Sequence, residues 1–229
     1  MSAEIAKERK QEWLEVIKFN WNTFSDPDLK RQFKKYSKLG SDALPEDKLN
    51  RLNKITSEMQ KIYSTAKICA YDNSSQCDLA LEPELTQILA NSRDDEELKH
   101  VWVEWRNAVG PHCKRLFEEY VDLSNEAARL NNFTDNTESW LDGYEDPQFR
   151  QQIESLWEQL KPLYLQIHAY VRYKLREKYG DVVSEKGPIP VHLLGTGGIS
   201  TGQKLFGCFR EHVGAEVAKR GRADFTVPR

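Results

Sequence analysis

Apolar residues recur every three or four positions along almost the whole of this 229-residue chain, and they never alternate over more than a few residues. That period commits the sequence to amphipathic helices. The clearest stripe follows Leu44-Pro45 and runs Leu49, Leu52, Ile55, Met59, Ile62 and Ala66. Ser2 is placed to cap a first helix extending to about Asn22, with Ile5, Trp13, Val16, Ile17 and Trp21 on its face. Asp26-Pro27 opens a second, carrying Leu29, Phe33, Tyr36 and Leu39 and stopped by Gly40. Leu98, Trp102, Trp105 and Val109 form a stripe that Gly110-Pro111 is expected to terminate, and Leu116, Tyr120, Leu123, Ala127 and Leu130 form the next. From Pro147 to Tyr179 the series is Ile153, Leu156, Leu160, Leu163, Ile167 and Val171, with Pro162 expected to bend or divide the helix. The expected fold class is all-α. Such helices gain most of their stability by burying one face, so Trp102, Trp105, Trp140 and Trp157 are expected in the core rather than around a ligand.

Composition excludes several functions. Net charge is −3 with balanced acids and bases, which leaves no electrostatic footprint for nucleic acid or an anionic membrane. Apolar runs fall well short of the roughly 20 residues that span a bilayer. Met1 is not followed by a basic and then an apolar region, so no signal peptide is read in the chain as given. There is no internal repeat and no sustained heptad register. After Gly195 the composition changes abruptly: Gly197, Gly198, Gly202, Gly207, Gly214 and Gly221 are half of the 12 glycines. Residues 1–195 therefore read as one helical lobe and 196–229 as an irregular, divergent tail.

The five histidines are His100, His112, His168, His192 and His212, and none is followed by Glu. A zinc peptidase motif of the form H-E-x-x-H is therefore absent, and no catalytic or metal-binding residue is assigned. Cys208, His212 and Glu216 share a helical spacing but read as ordinary tail residues. Cys69 and Cys77 enclose seven residues, a loop that closes at low entropic cost. The residues leave two readings open, a disulfide or two surface thiols. Asn73-Ser74-Ser75 inside that loop and Asn132-Phe133-Thr134 downstream are N-glycosylation sequons. Together with a disulfide they point to an oxidising compartment.

Several ordered motifs carry a resemblance. They are KICAYDNSSQCDLALEPELTQILANSRDDEEL from Lys67 to Leu98, Trp105-Arg106, NEAARLNNFT from Asn125, Trp140 with Tyr144, KPLYLQIHAYVR from Lys161 and GPIPVHLLG from Gly187. In this order and spacing the chain resembles the N-terminal part of angiotensin-converting enzyme, a zinc peptidyl-dipeptidase, nearest the invertebrate forms. The resemblance covers about Ser2 to Gly195. It implies an all-helical lobe whose first helices form a lid over a deep cleft, a Cys69–Cys77 disulfide, and an extracellular or secreted location. By resemblance Arg106 and Tyr144 are chloride ligands and Glu82 lines a substrate pocket, although Gln60 stands where some relatives have an acid. Zinc and chloride are the family's cofactors and peptides its substrates. A structural ion pair of Arg106 with Glu104, Glu118 or another acid is the competing reading of that residue.

Two functions are expected. One is a truncated member of the family, whose parent activity is zinc-dependent removal of C-terminal dipeptides, inactive alone because the zinc motif is absent. The other is a non-enzymatic helical module binding peptides or a protein. Either way, part of the surface formed by Trp102, Trp105, Leu116, Leu163, Ile167 and Tyr170 is expected to be an exposed apolar face open to self-association.

Overall fold

The computed structural model describes residues 3–198, so expectations for residues 199–229, including the tail's Cys208 and His212, lie outside the described residues. Seven α-helices make up most of the described residues: α1 Ala3–Val16, α2 Pro27–Tyr36, α3 Glu46–Thr65, α4 Thr86–Asn91, α5 Asp95–Leu130, α6 Asn136–Leu141 and α7 Phe149–Tyr179. Two strands of two residues each, β1 Lys67–Ile68 and β2 Leu79–Ala80, pair antiparallel with Lys67 opposite Ala80. The fold is all-α, and none of the described helices is long and apolar enough to cross a membrane. The described residues divide into two compact units, one of residues 3–64 and 110–160 and the other of residues 65–109 and 161–198.

In the first unit, local chemistry starts and stops the helices. Asp26 caps α2 by accepting from the Asp28 and Leu29 amides at 2.9 and 3.1 Å, with Pro27 at the first helical position. The chain leaves α2 through Gly40, whose φ of +61° suits a residue without a Cβ. Asn131 then locks that turn: its Oδ1 accepts from the Leu39 and Gly40 amides at 2.7 and 3.0 Å, and its Nδ2 donates to the Gly40 and Ala127 carbonyls at 2.8 and 2.7 Å. Leu49 and Leu52 of α3 pack with Ala6, Leu44 and Ala127 in a small core. Around it run ion pairs Lys48–Glu126 at 2.7 Å, Arg51–Glu119, and Arg9 with the buried Asp42 at 2.9 Å.

The second unit has the larger core. Ile68, Leu79, Leu85, Leu89, Leu98, Val101, Trp105, Leu175, Val183 and Leu193 form one buried cluster. Cys69 and Cys77 are disulfide-bonded across the loop that joins the two strands. Asp94 accepts from the Glu96 and Glu97 amides at 2.9 and 3.2 Å to start α5, whose first turn carries Asp95, Glu96 and Glu97 where the helix dipole favours acids. At the far end of α7, Arg172 and Arg176 donate to the Gly187 and Val183 carbonyls at 2.8 and 2.7 Å, tying down the segment that follows.

Several sequence expectations need correction. The first helix ends at Val16 rather than near Asn22, and Trp21 falls in a separate short turn. Gly110-Pro111 does not end a helix: α5 runs through it for 36 residues. Pro111 cannot donate to the Asn107 carbonyl and costs about 3 kcal/mol. Apolar faces buried on both sides of it, Leu98, Val101 and Trp105 before and Ala127 and Ala128 after, outweigh that loss. Likewise α7 passes through Pro162 without dividing. Of the four tryptophans expected inside, Trp105 is buried and Trp102 half-buried, but Trp140 is 67% exposed and Trp157 44%. Trp140 stands on α6, a six-residue helix with no buried residue and hence no face to close against the core.

Candidate functional site

Trp102 and Arg106 are four residues apart on α5, so the arginine side chain folds back over the turn before it. Its guanidinium carbon lies 3.3 Å from the Trp102 ring centroid, and Nη1 donates to the Trp102 carbonyl at 3.0 Å. Burial draws the guanidinium's pKa below its ordinary value, though an arginine stays charged in water-like conditions. Neither Glu104 nor Glu118 pairs with it, which corrects that expectation: Glu104 accepts from Asn107 Nδ2 at 3.2 Å, and no carboxylate acts on Arg106 among the described residues. Beside it, the indole Nε1 of Trp102 is buried with no acceptor. A half-buried cation with no counter-charge among the described residues and an orphaned donor on the ring beneath it form an arrangement that could accept an anion.

Glu82 is exposed and extended at the entry to α4, where its Oε2 accepts from Thr86 Oγ1 at 2.8 Å. Tyr144 is 61% exposed and stacks on Phe149, ring centroids 3.8 Å apart at 10°. Arg106 and Glu82 belong to one compact unit and Tyr144 to the other. No hydrogen bond or ion pair joins Arg106 to Glu82. Both sequon asparagines are exposed. Asn73 accepts from the Ser75 amide at 3.1 Å inside the disulfide loop. Asn132 adopts φ +65° and closes α5: its amide donates to the Arg129 carbonyl at 3.1 Å and the Phe133 amide to Ala128 at 3.0 Å, the bond pattern of a helix ending in a left-handed residue.

Sequence reasoning missed three contacts. Trp102 as a platform for Arg106 was detectable from the i, i+4 spacing. By contrast, His192 Nε2 with Asp95 Oδ1 at 2.7 Å joins residues 97 apart and leaves no local signal. His100 Nε2 lies 3.0 Å from the Cys69 carbonyl. Among the described residues no cluster of His, Cys, Asp and Glu is arranged to hold a metal. With no H-E-x-x-H in the 229 residues either, the described residues do not fit a zinc centre.

Comparison with known proteins bears on this geometry. Residues 1–200 match the family described as angiotensin-converting enzyme. An angiotensin-converting enzyme of Haematobia irritans exigua is 47% identical over 196 residues, 85% of this chain and 32% of that protein. One from Theromyzon tessulatum is 42% identical over 198 residues, again 85% and 32%, and one from Bos taurus is 43% identical over 179 residues, 78% and 14%. This chain therefore spans about a third, or less, of the length of these relatives.

Proposed function

The chain belongs to the angiotensin-converting-enzyme family, and from that premise we propose that it supplies the helical wall and an anion site of a zinc-dependent peptidyl-dipeptidase, not the hydrolytic centre. The parent reaction removes C-terminal dipeptides by a metal-activated water. These 229 residues carry no zinc motif, so by themselves they perform no hydrolytic step. The observation that carries the reading is the uncompensated Arg106 guanidinium over Trp102, with its orphaned Nε1. Arg106 and Trp102 Nε1 would hold chloride, the anion supplying a counter-charge that stiffens this stretch of α5. Tyr144 as a ligand of a second, separate chloride and Glu82 as a pocket wall belong to the same proposal. Exposed sequons at Asn73 and Asn132 and the Cys69–Cys77 disulfide support secretion through a glycosylating, oxidising compartment.

The test uses the purified 229-residue chain. With added zinc it should release no dipeptide from a blocked tripeptide in a chelator-sensitive manner. In gluconate buffer, chloride should change tryptophan emission saturably, and Arg106→Ala should abolish that response while leaving helicity intact. Chelator-sensitive hydrolysis would overturn the non-catalytic part; a linear, unsaturable chloride response would overturn the anion site. A non-enzymatic peptide- or protein-binding module is the second reading, favoured by the apolar row Ile153, Leu156, Leu160 and Leu163 on α7, each at least 49% exposed.

A further inference from the structure

Asn132 does more than end a helix. It lines a surface cavity of about 470 Å³ in the first unit, together with Trp13, Trp21, Phe133 and Asn131. That volume lies within the roughly 300–1,000 Å³ of small-molecule sites. Trp13 and Trp21 are half-buried, and Trp13 is fixed by its Nε1 donating to the Ser37 carbonyl at 2.8 Å. The asparagine is held just as firmly. On one side is the closing bond pattern of α5; on the other, Glu138 Oε2 accepts from the Thr134 amide and hydroxyl at 2.6 and 2.8 Å, and Asp135 caps α6 by accepting from the Glu138 amide at 3.0 Å. A group attached to Asn132 thus leaves a rigid frame at the edge of a mixed cavity, in which Trp13, Trp21 and Phe133 stand beside Lys10, Lys34 and Lys38.

We infer that the first N-acetylglucosamine of an Asn132-linked glycan seats in this cavity against Trp13 and Trp21. The inference rests on the secretory reading above. Attachment transfers an oligosaccharide from a polyprenyl diphosphate donor: C1 of the sugar bonds to Asn132 Nδ2, Nδ2 loses a proton, and the polyprenyl diphosphate leaves. The seat itself is non-covalent. A pyranose presents a face of C–H groups that packs on indole, while its acetamide and hydroxyls keep their hydrogen bonds to water at the open side. Tethering makes the contact intramolecular, so a stacking too weak to hold free sugar is populated by the attached one. Asn73 is the internal control, because it lies in an exposed loop and does not line this cavity.

The experiment is expression of the full chain in an N-glycosylating host, with peptide mass mapping and timed release by a peptide amidase under native conditions. Expected are glycans at both sequons and release at Asn132 about tenfold slower than at Asn73, in proportion to the closed fraction. Trp21→Ala should bring the Asn132 rate up to that of Asn73, and Trp21→Phe should retain protection. In unsubstituted protein carrying labelled acetyl groups, one acetamide methyl should shift upfield and cross-relax with indole protons, a readout that survives any misfolding of the variants. Asn132→Gly, which removes the acceptor but suits the left-handed cap, should abolish that signal. Free N-acetylglucosamine producing the same shift in the amidase-treated chain would identify a general sugar site and overturn the tethered one. Occupied Asn132 with equal release rates and no shifted methyl overturns the seat alone; an unoccupied Asn132 overturns both the seat and glycosylation there.

Discussion

The two long helices α5 and α7 have the same kind of sequence and different fates. Each exceeds 30 residues, carries an internal proline and repeats apolar residues at helical spacing. Yet α5 buries Leu98, Val101, Trp105, Ala127 and Ala128, while on α7 the only apolar side chain that is buried is Leu175. Every residue of α7 from 151 to 160 is exposed, including Ile153, Leu156, Trp157 and Leu160. Periodicity states which face of a helix favours burial. What covers that face is a property of the rest of the fold.

Core truncation should expose the contrast most strongly. Trp105→Ala in α5 is expected to cost about 3–5 kcal/mol, the range for deleting a buried aromatic, whereas Leu156→Ala on α7 should stay within about 0.5 kcal/mol of the parent. Denaturant unfolding of both variants checks this, and equal losses would mean that α7 is covered in solution.

Next in size is the anchoring of the residues before α5. The disulfide closes a short loop whose Cys69 carbonyl meets His100 of α5. Cys69→Ser with Cys77→Ser should lower stability by about 2–3 kcal/mol on the chain-entropy account of a loop this short. Non-reducing peptide mapping of the parent should show the two half-cystines linked, and two alkylated thiols in secreted material would contradict the bond.

A smaller effect is expected from the uncovered row of α7. The chain should bind a hydrophobic dye and associate in a concentration-dependent way, each apolar side chain buried in the contact contributing about 1.5–3 kcal/mol at most. Leu156→Lys with Leu160→Lys should return it to a monomer in sedimentation. A monomeric parent that ignores the dye would show that the row is not an interaction surface.

The smallest effect lies at the rim of α5. Arg51 donates a hydrogen bond to Glu119 at 2.6 Å and holds the carboxyl's pKa below its ordinary value. A depressed folded-state pKa contributes stability that is present above the unfolded carboxylate pKa and disappears as pH falls through the folded one. The melting temperature of the parent should therefore drop more than that of Glu119→Gln as pH is lowered through and below the carboxylate range. Both groups are solvent-exposed, so the difference should shrink further in high salt. Parallel pH profiles for the two proteins would remove the pair from the account of α5.

Much of this was legible in the chain. The stripe from Leu98 announced the first half of α5, Asp26-Pro27 announced α2, and the stripe on α3 identified Leu49, Leu52 and Ile55 as buried. Local signals failed where they conflicted with packing. Gly110-Pro111 reads as a stop, yet buried faces on both sides carry the helix through. Trp140 reads as core, yet stands on a helix too short to bury it. At the candidate anion site, Arg106 was named by resemblance and its stacking on Trp102 follows from spacing, but whether a carboxylate would reach it did not.

What the sequence determined by itself is the helical period, the cap of α2, the sequons and the family, because each depends on residues close together or on their order along the chain. Only the tertiary structure decided that Arg106 has no counter-ion among the described residues, that His192 meets Asp95, that Asn132 borders a cavity with Trp13 and Trp21, and that α5 is covered where α7 is not. Those outcomes turn on which distant side chains reach the same volume and compete there for burial and charge, and no local pattern encodes that competition.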